Sequence, residues 1–322
     1  MKTRIFITLL LICYTTLNWA QNRVTELRTW KFSHDSLHWQ TVNIPHDWAI
    51  SGPFDKKWDL QCVAIEQNGE KQATEKSGRS GALPWIGEGW YCHQLTIKNR
   101  KDFSHAYLCF DGAMSEPIVY INGKEAGRWA YGYNAFRIDA TEYLNKGENT
   151  IIVHLNNREE SSRWYPGAGL YRPVRLVLTP EMRIDPWNIY IHTTRLNDDG
   201  ATLSIDAKVE GWDGKKKLIA IAYGSVDGQP EQTELTLDPL TGIAHAELKW
   251  KKGKYSVWTP EQPVLIPLGI YTRNKGTLQL LYTTKTAVRT VSVSKEKGFQ
   301  LNGVSRKIQG VCLHHDLGPL GA

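Results

Sequence analysis

The sequence predicts a mainly β protein, with two β-sandwich domains in tandem and then the opening of a third domain of different character. Three observations carry this. Short β-branched or aromatic runs recur at roughly 8–12-residue spacing with Gly-containing turns between them. No 11-residue stretch shows a clean helical stripe. Thirteen Trp and fourteen Tyr stand against three Met, a bias that suits sheets and flat-faced ligands better than helical bundles. At ~100–200 residues per domain, 322 residues give about two domains and part of a third.

Residues 1–20 read as a secretory signal. Lys2 and Arg4 give a positive start, residues 5–13 form an apolar run of nine, and Ala20 supplies the small residue before a cleavage site at Gln21. Nine apolar residues fall short of the ~20 that a bilayer core requires. Ile12 stands where lipidation of Cys13 would need a small residue. The mature chain is therefore expected to be periplasmic or secreted, with no membrane attachment after cleavage.

The first strand-rich block follows. Runs at 95–97, 105–110, 118–121 and 150–155 are punctuated by Asp111-Gly112, Asn122-Gly123 and Lys146-Gly147. Asn122-Gly123 predicts a two-residue hairpin turn, because both residues tolerate positive φ. Residues 67–81 are polar, Gly/Ser/Lys-rich and aperiodic, and Trp85 and Trp90 lie just beyond. Trp90 opens a strand and is expected to lean into the core.

A second block starts near Arg183. Strands are expected at 189–192, 201–209, 218–223, 234–237, 244–250, 278–282 and 287–293, the size of an immunoglobulin-like sandwich. Then the pattern changes. Residues 298–303 read as a small hairpin, and 308–313 run mostly apolar into His314-His315-Asp316. Such a run predicts a strand covered on both faces, as in a parallel sheet.

Charge excludes one class of function. The formal net charge is +6, and without Lys2 and Arg4 there remain 37 basic and 33 acidic side chains, a net of +4. The surplus is scattered, whereas a nucleic-acid binder concentrates it on one stripe. No metal or cofactor motif occurs: Gly167-Ala168-Gly169 opens no helix, and no two Cys share ligand spacing. Cys62, Cys92, Cys109 and Cys312 read as separate half-buried thiols, with a Cys92–Cys109 bridge left open.

Several motifs occur in a fixed order: Ile44-Pro45-His46-Asp47-Trp48, Gly89-Trp90-Tyr91, Phe110-Asp111-Gly112, Val119-Tyr120-Ile121-Asn122-Gly123, Tyr131-Gly132-Tyr133-Asn134-Ala135-Phe136, and Arg163-Trp164-Tyr165-Pro166-Gly167-Ala168-Gly169-Leu170-Tyr171-Arg172. This set resembles the N-terminal sugar-binding jelly roll of glycoside hydrolase family 2, in its β-galactosidase branch. Trp258-Thr259-Pro260-Glu261-Gln262-Pro263 resembles the family's Trp-x-Pro-x-x-Pro segment, late in its immunoglobulin-like domain. Residues 299–316 resemble its lead-in to a (β/α)8 barrel. The resemblance implies a signal peptide at 1–20, a jelly roll at 21–182, an immunoglobulin-like sandwich at 183–293 and the truncated start of a TIM barrel at 294–322.

The implied activity is retaining hydrolysis of terminal β-glycosides, which needs two carboxyl groups ~5–5.5 Å apart. In the family both glutamates lie on later barrel strands, past residue 322, so this chain is expected to hold no catalytic residue. Two substitute pairs fail. Glu159-Glu160 would point apart on a strand, and Asp198-Asp199 sit in a turn, holding its backbone. Expected sugar contacts are His314 and Asp316, at the active-site end of the first barrel strand, and Arg163 and Trp164, in the segment reaching toward the barrel mouth. The alternatives are a disordered tail for His314 and Asp316, and packing between domains for Trp164. Ser162 stands where some β-galactosidases carry a glycone-binding aspartate.

His46-Asp47 reads as a turn in which Asp holds backbone N–H groups, and Ser33-His34-Asp35 as a coincidence rather than a triad. The expected partner is a carbohydrate, a β-galactoside or related oligosaccharide, with no cofactor and no nucleic acid. A non-catalytic, lectin-like carbohydrate-binding protein is the alternative function.

Overall fold

The computed structural model describes residues 22–51, 87–158, 167–212, 215–224, 227–274 and 277–312. Two units emerge, with bodies at 23–178 and 179–310.

In the first unit the strands are β1 (Arg23–Glu26), β2 (Thr29–Ser33), β3 (Gln40–Asn43), β4 (Gly87–Ile97), β5 (His105–Phe110), β6 (Ile118–Ile121), β7 (Lys124–Arg128), β8 (Phe136–Asp139), β9 (Gly147–Asn157) and β10 (Val174–Thr179). They form two antiparallel sheets, ordered β1-β10-β5-β8 and β3-β2-β4-β9-β6-β7. Period-2 burial makes them face each other. On β9, Ile151, Val153 and Leu155 are fully buried while their neighbours are not. Trp30, Phe32, Tyr91, Leu108, Phe110 and Phe136 complete the core. Phe110 and Phe136 are register partners across β5 and β8, with rings stacked at 4.6 Å.

The β6–β7 turn has the expected chemistry: Asn122 has φ 52° and Gly123 φ 79°. Asn122 also ties the turn to the neighbouring strand. Its Nδ2 donates to Asn149 Oδ1 at 2.8 Å, and its Oδ1 accepts from the Thr150 N–H at 3.0 Å.

The second unit contains β11 (Arg183–Asn197), β12 (Gly200–Glu210), β13 (Lys217–Ala222), β14 (Glu231–Leu237), β15 (Ile243–Lys251), β16 (Ile266–Asn274) and β17 (Thr277–Thr286). Their order is β11-β12-β15-β14-β13-β16-β17. Strand β14 pairs with β13 along Glu231–Leu235 and with β15 at Thr236 and Leu237, so it passes from one leaf to the other. The leaves β11-β12-β15-β14 and β13-β16-β17 have the strand order of an immunoglobulin-like sandwich. Leu203, Ile205, Leu248, Trp250, Leu268 and Ile270 fill it.

Two expectations need correcting here. The seventh sandwich strand is β16, not 287–293. No strand was expected at 266–274, where Pro267 sits in the ladder opposite Lys285. Residues 291–294 instead form β18 (Val291–Ser294), in a separate sheet with β19 (Gly298–Leu301) and β20 (Val304–Ser305). The β19–β20 hairpin turns at Asn302 (φ 53°) and Gly303 (φ 77°).

The second correction concerns 308–312. This stretch forms no strand; Ile308 is 76% and Val311 93% exposed. Apolar side chains favour an extended backbone only where a neighbour accepts from its N–H groups and donates to its C=O groups, and no described strand runs alongside. Residues 313–322 lie outside the described residues.

Among the described residues there is no α-helix, only 3-10 turns such as Ala49–Ser51 and Arg100–Asp102. Cys92, Cys109 and Cys312 are free thiols; burial pushes those of Cys92 and Cys109 up.

Candidate functional site

The residues expected to contact sugar (Arg163, Trp164, His314 and Asp316) lie outside the described residues, as do Cys62, Trp85, Glu159, Glu160 and Ser162. In the first unit the structure describes an aromatic cluster built from the 44–48 turn, β2 and β4.

Trp48 is the centre of this cluster and is 1% exposed. It stacks on Phe32 at 5.5 Å, and His34 meets it edge-on at 5.8 Å. The turn is stitched to the 168–170 segment by the His46 N–H donating to the Leu170 carbonyl at 2.9 Å and the Trp48 N–H to the Ala168 carbonyl at 3.2 Å. Two glycines make this closeness possible. A Cβ on Gly89 would enter the Trp48 ring, and one on Gly169 would meet the Tyr91 hydroxyl and, at 2.6 Å, the His46 carbonyl.

His46 is locked rather than poised. Its Nδ1 lies 2.7 Å from the Tyr91 hydroxyl. Burial, and secondarily the neighbouring His34, push the imidazole down to about 4, so it is neutral at pH 7. Burial likewise holds the Tyr91 hydroxyl protonated. Asp47 Oδ1 accepts the Ala49 N–H at 3.0 Å, a turn-holding bond.

No triad forms from Ser33-His34-Asp35. His34 Nδ1 lies 3.2 Å from the Glu88 carbonyl, and Asp35 faces His38, whose Nδ1 is 2.6 Å from its Oδ2. The backbone N–H and imidazole of His38 hold the Asp35 carboxyl well below the usual carboxylate range.

Asp198-Asp199 is also no acid pair. Asp198 is ion-paired with Lys252 at 2.5 Å, and the turn backbone is held by Asn197 Oδ1, not by an aspartate. No group of three or more His, Cys, Asp or Glu among the described residues is placed to hold a metal.

Trp90 corrects another expectation. The adjacent Tyr91 is fully buried, so alternation turns Trp90 to the opposite face, where it is half-buried. There it stacks on His154, its register partner on β9, with ring centroids 4.0 Å apart. His154 Nε2 lies 3.4 Å from Glu88 Oε2. A flat indole face beside an imidazole and a carboxylate can hold a pyranose face and its hydroxyls. His154 was missed in the sequence because the pairing that brings it beside Trp90 spans sixty-odd residues of chain.

Residues 29–180 match the family model described as "Glycosyl hydrolases family 2, sugar binding domain". Beta-galactosidase BoGH2A of Bacteroides ovatus is 30% identical over 290 residues, covering 88% of this chain and 32% of that protein. This chain belongs to glycosyl hydrolase family 2.

A beta-glucuronidase of Bacteroides fragilis is 26% identical over 327 residues, covering 94% of this family 2 chain and 46% of its own. A solved glycosyl hydrolase family 2 member from Bacteroides cellulosilyticus superposes with a TM-score of 0.75 at 24% identity, over 92% of this chain and 40% of that one, which shows the shared fold. The family 2 chain thus spans about a third of BoGH2A and under half of each of the other two.

Proposed function

We propose that this chain is the sugar-binding and accessory N-terminal part of a secreted, retaining glycosidase that hydrolyses terminal β-glycosides, in particular β-galactosides. The observation that carries the reading is the family 2 sugar-binding match over 29–180, together with 30% identity to a beta-galactosidase. The chemistry of the described residues agrees with an accessory role. His46 is neutral and hydrogen-bonded, Asp47 holds a turn, and Asp198 pairs with Lys252. In this reading the chain shapes a pocket rim and the carboxyl pair is supplied by a barrel. Arg163, Trp164, His314 and Asp316 remain the proposed contacts to the glycone side of that pocket.

The experiment is a turnover assay of the purified 322-residue chain on a chromogenic β-galactoside, with a parallel titration of methyl β-galactoside. No turnover and a Kd weaker than about 1 mM are expected, since a rim without its pocket gives less than ~4 kcal/mol. Turnover would overturn the accessory role. Submillimolar affinity without turnover would favour a stand-alone carbohydrate-binding protein instead. Export is tested by N-terminal sequencing of secreted material, which is expected to begin at Gln21.

A further inference from the structure

The second unit contains a groove that the proposed activity does not use. It lies between β11 and β17, the two terminal strands of the sandwich order, and encloses about 670 Å³. One wall is aromatic. Tyr190 is 62% exposed and stacks on His192 at 4.4 Å, 24° from parallel, the two being i and i+2 on one face of β11. The Nδ1 of His192 is shielded from solvent and finds no hydrogen-bond partner among the described residues.

The other wall is cationic. Lys285 and Arg289 line the groove, and among the described residues no Asp or Glu does. Neither cation has an ion-pair partner among the described residues. Arg289 is nonetheless held in place. Its guanidinium sits 4.5 Å from the centre of the Trp258 ring, and its backbone N–H donates to Thr193 Oγ1 at 3.1 Å. Stacking uses the face of a guanidinium and leaves its edge N–H groups free to donate. Thr193 and Thr284 add hydroxyls to the lining.

We propose that this groove is a saccharide subsite for a pyranose bearing an anionic substituent, a carboxylate or a sulfate. The apolar face of the sugar ring lies on Tyr190, and the anion is taken by Lys285 and Arg289 through charge-assisted hydrogen bonds. The site is separate from the family 2 sugar-binding domain at 29–180 and does not depend on the proposed hydrolysis.

The test is calorimetric titration of the 322-residue chain with methyl β-glucuronide, galactose 6-sulfate, methyl β-galactoside, inorganic sulfate and AMP. Both anionic sugars are expected to bind with Kd near 1 mM, and the neutral glycoside about tenfold more weakly. Binding of glucuronide but not sulfate ester, or the reverse, supports the site and names its anion. Tyr190→Ala and Lys285→Glu are each expected to weaken anionic binding about fivefold or more, while Lys124→Glu, the same charge change at an exposed position in the other unit, leaves it unchanged. Lys285 is exposed, so Lys285→Glu carries the test should Tyr190→Ala lower the Tm. Equal binding of the neutral glycoside overturns the proposal. So does sulfate alone matching galactose 6-sulfate, AMP binding more tightly than either sugar, or anionic affinity unmoved by Lys285→Glu.

Discussion

Trp90 and His154 stack across the β4–β9 ladder, with ring centroids 4.0 Å apart and 22° between planes. The pair sits on the face of the six-stranded sheet opposite Tyr91, so an aromatic surface is presented outward by the strand whose next residue anchors the core. Trp90→Ala is expected to cost about 1–2 kcal/mol, the worth of a half-buried aromatic contact. Trp90→Phe keeps most of it. Denaturant unfolding of the two variants measures the difference, and equal stability of Trp90→Ala and the parent would refute the contact.

His46 predicts an acid-sensitive fold. Its folded pKa, about 4, lies below the ordinary histidine value of 6.5, so the unfolded chain binds the proton more readily. Stability is fully present above pH ~6.5 and falls as pH drops toward ~4, by about 2 kcal/mol after allowance for partial exposure. His46→Gln is expected to flatten that part of the stability–pH curve. A variant curve parallel to the parent's would exclude His46 as the source.

Asn149 is 1% exposed, and both ends of its amide are engaged. Its Oδ1 accepts from the Asn145 N–H at 2.7 Å and from Asn122 Nδ2, while its Nδ2 donates to the carbonyls of Asn145 at 2.8 Å and Gly147 at 3.0 Å. Asn149→Leu strands these buried groups and is expected to cost about 2–4 kcal/mol. A loss under ~1 kcal/mol by urea titration would mean that water replaces the amide.

Gly169 adopts φ +110°, and a Cβ there would collide with the Tyr91 hydroxyl and the His46 carbonyl. Gly169→Ala combines backbone strain with collision and is expected to lower stability by about 3 kcal/mol or more. Thermal melting measures it. Gly123→Ala is the comparison: also at positive φ but with open space around it, it is expected to cost about 1 kcal/mol.

Arg306 forms a two-pronged pair with Glu261, at 2.6 and 3.1 Å, that holds the Glu261 carboxyl down at about 2. Asn302 Nδ2 adds a bond to the Trp258 carbonyl at 2.9 Å. Arg306→Ala is expected to loosen the β19–β20 hairpin locally. The Arg306 amide, bonded to the Phe299 carbonyl, would exchange faster while the amides of β12 and β15 keep their rates. Uniform acceleration across the second unit would contradict this.

Strand runs at 105–110 and 118–121 were legible in full because they are short runs rich in β-branched or aromatic residues, each followed by a Gly-containing turn. Asn122-Gly123 was legible because its φ requirement is written in two residue types. β16 was not, since Pro267 and Gly269 mimic breakers until the ladder on either side is known. The 308–312 run misled in the opposite sense: composition reports a preference for burial but supplies no partner. The expected sugar contacts Arg163, Trp164, His314 and Asp316 rest on resemblance alone and lie outside the described residues. Nothing in the local pattern around Trp90 or His154 announces that they meet, because register is a long-range property.

Strand β14 has a consequence for how the second unit comes apart. Its first five residues are zipped to β13 and its last two to β15, so neither leaf peels off without tearing the seam of the other. Heat or denaturant then meets one cooperative body instead of two half-sandwiches, and amides on β12 and β16, in opposite leaves, would share a single opening energy.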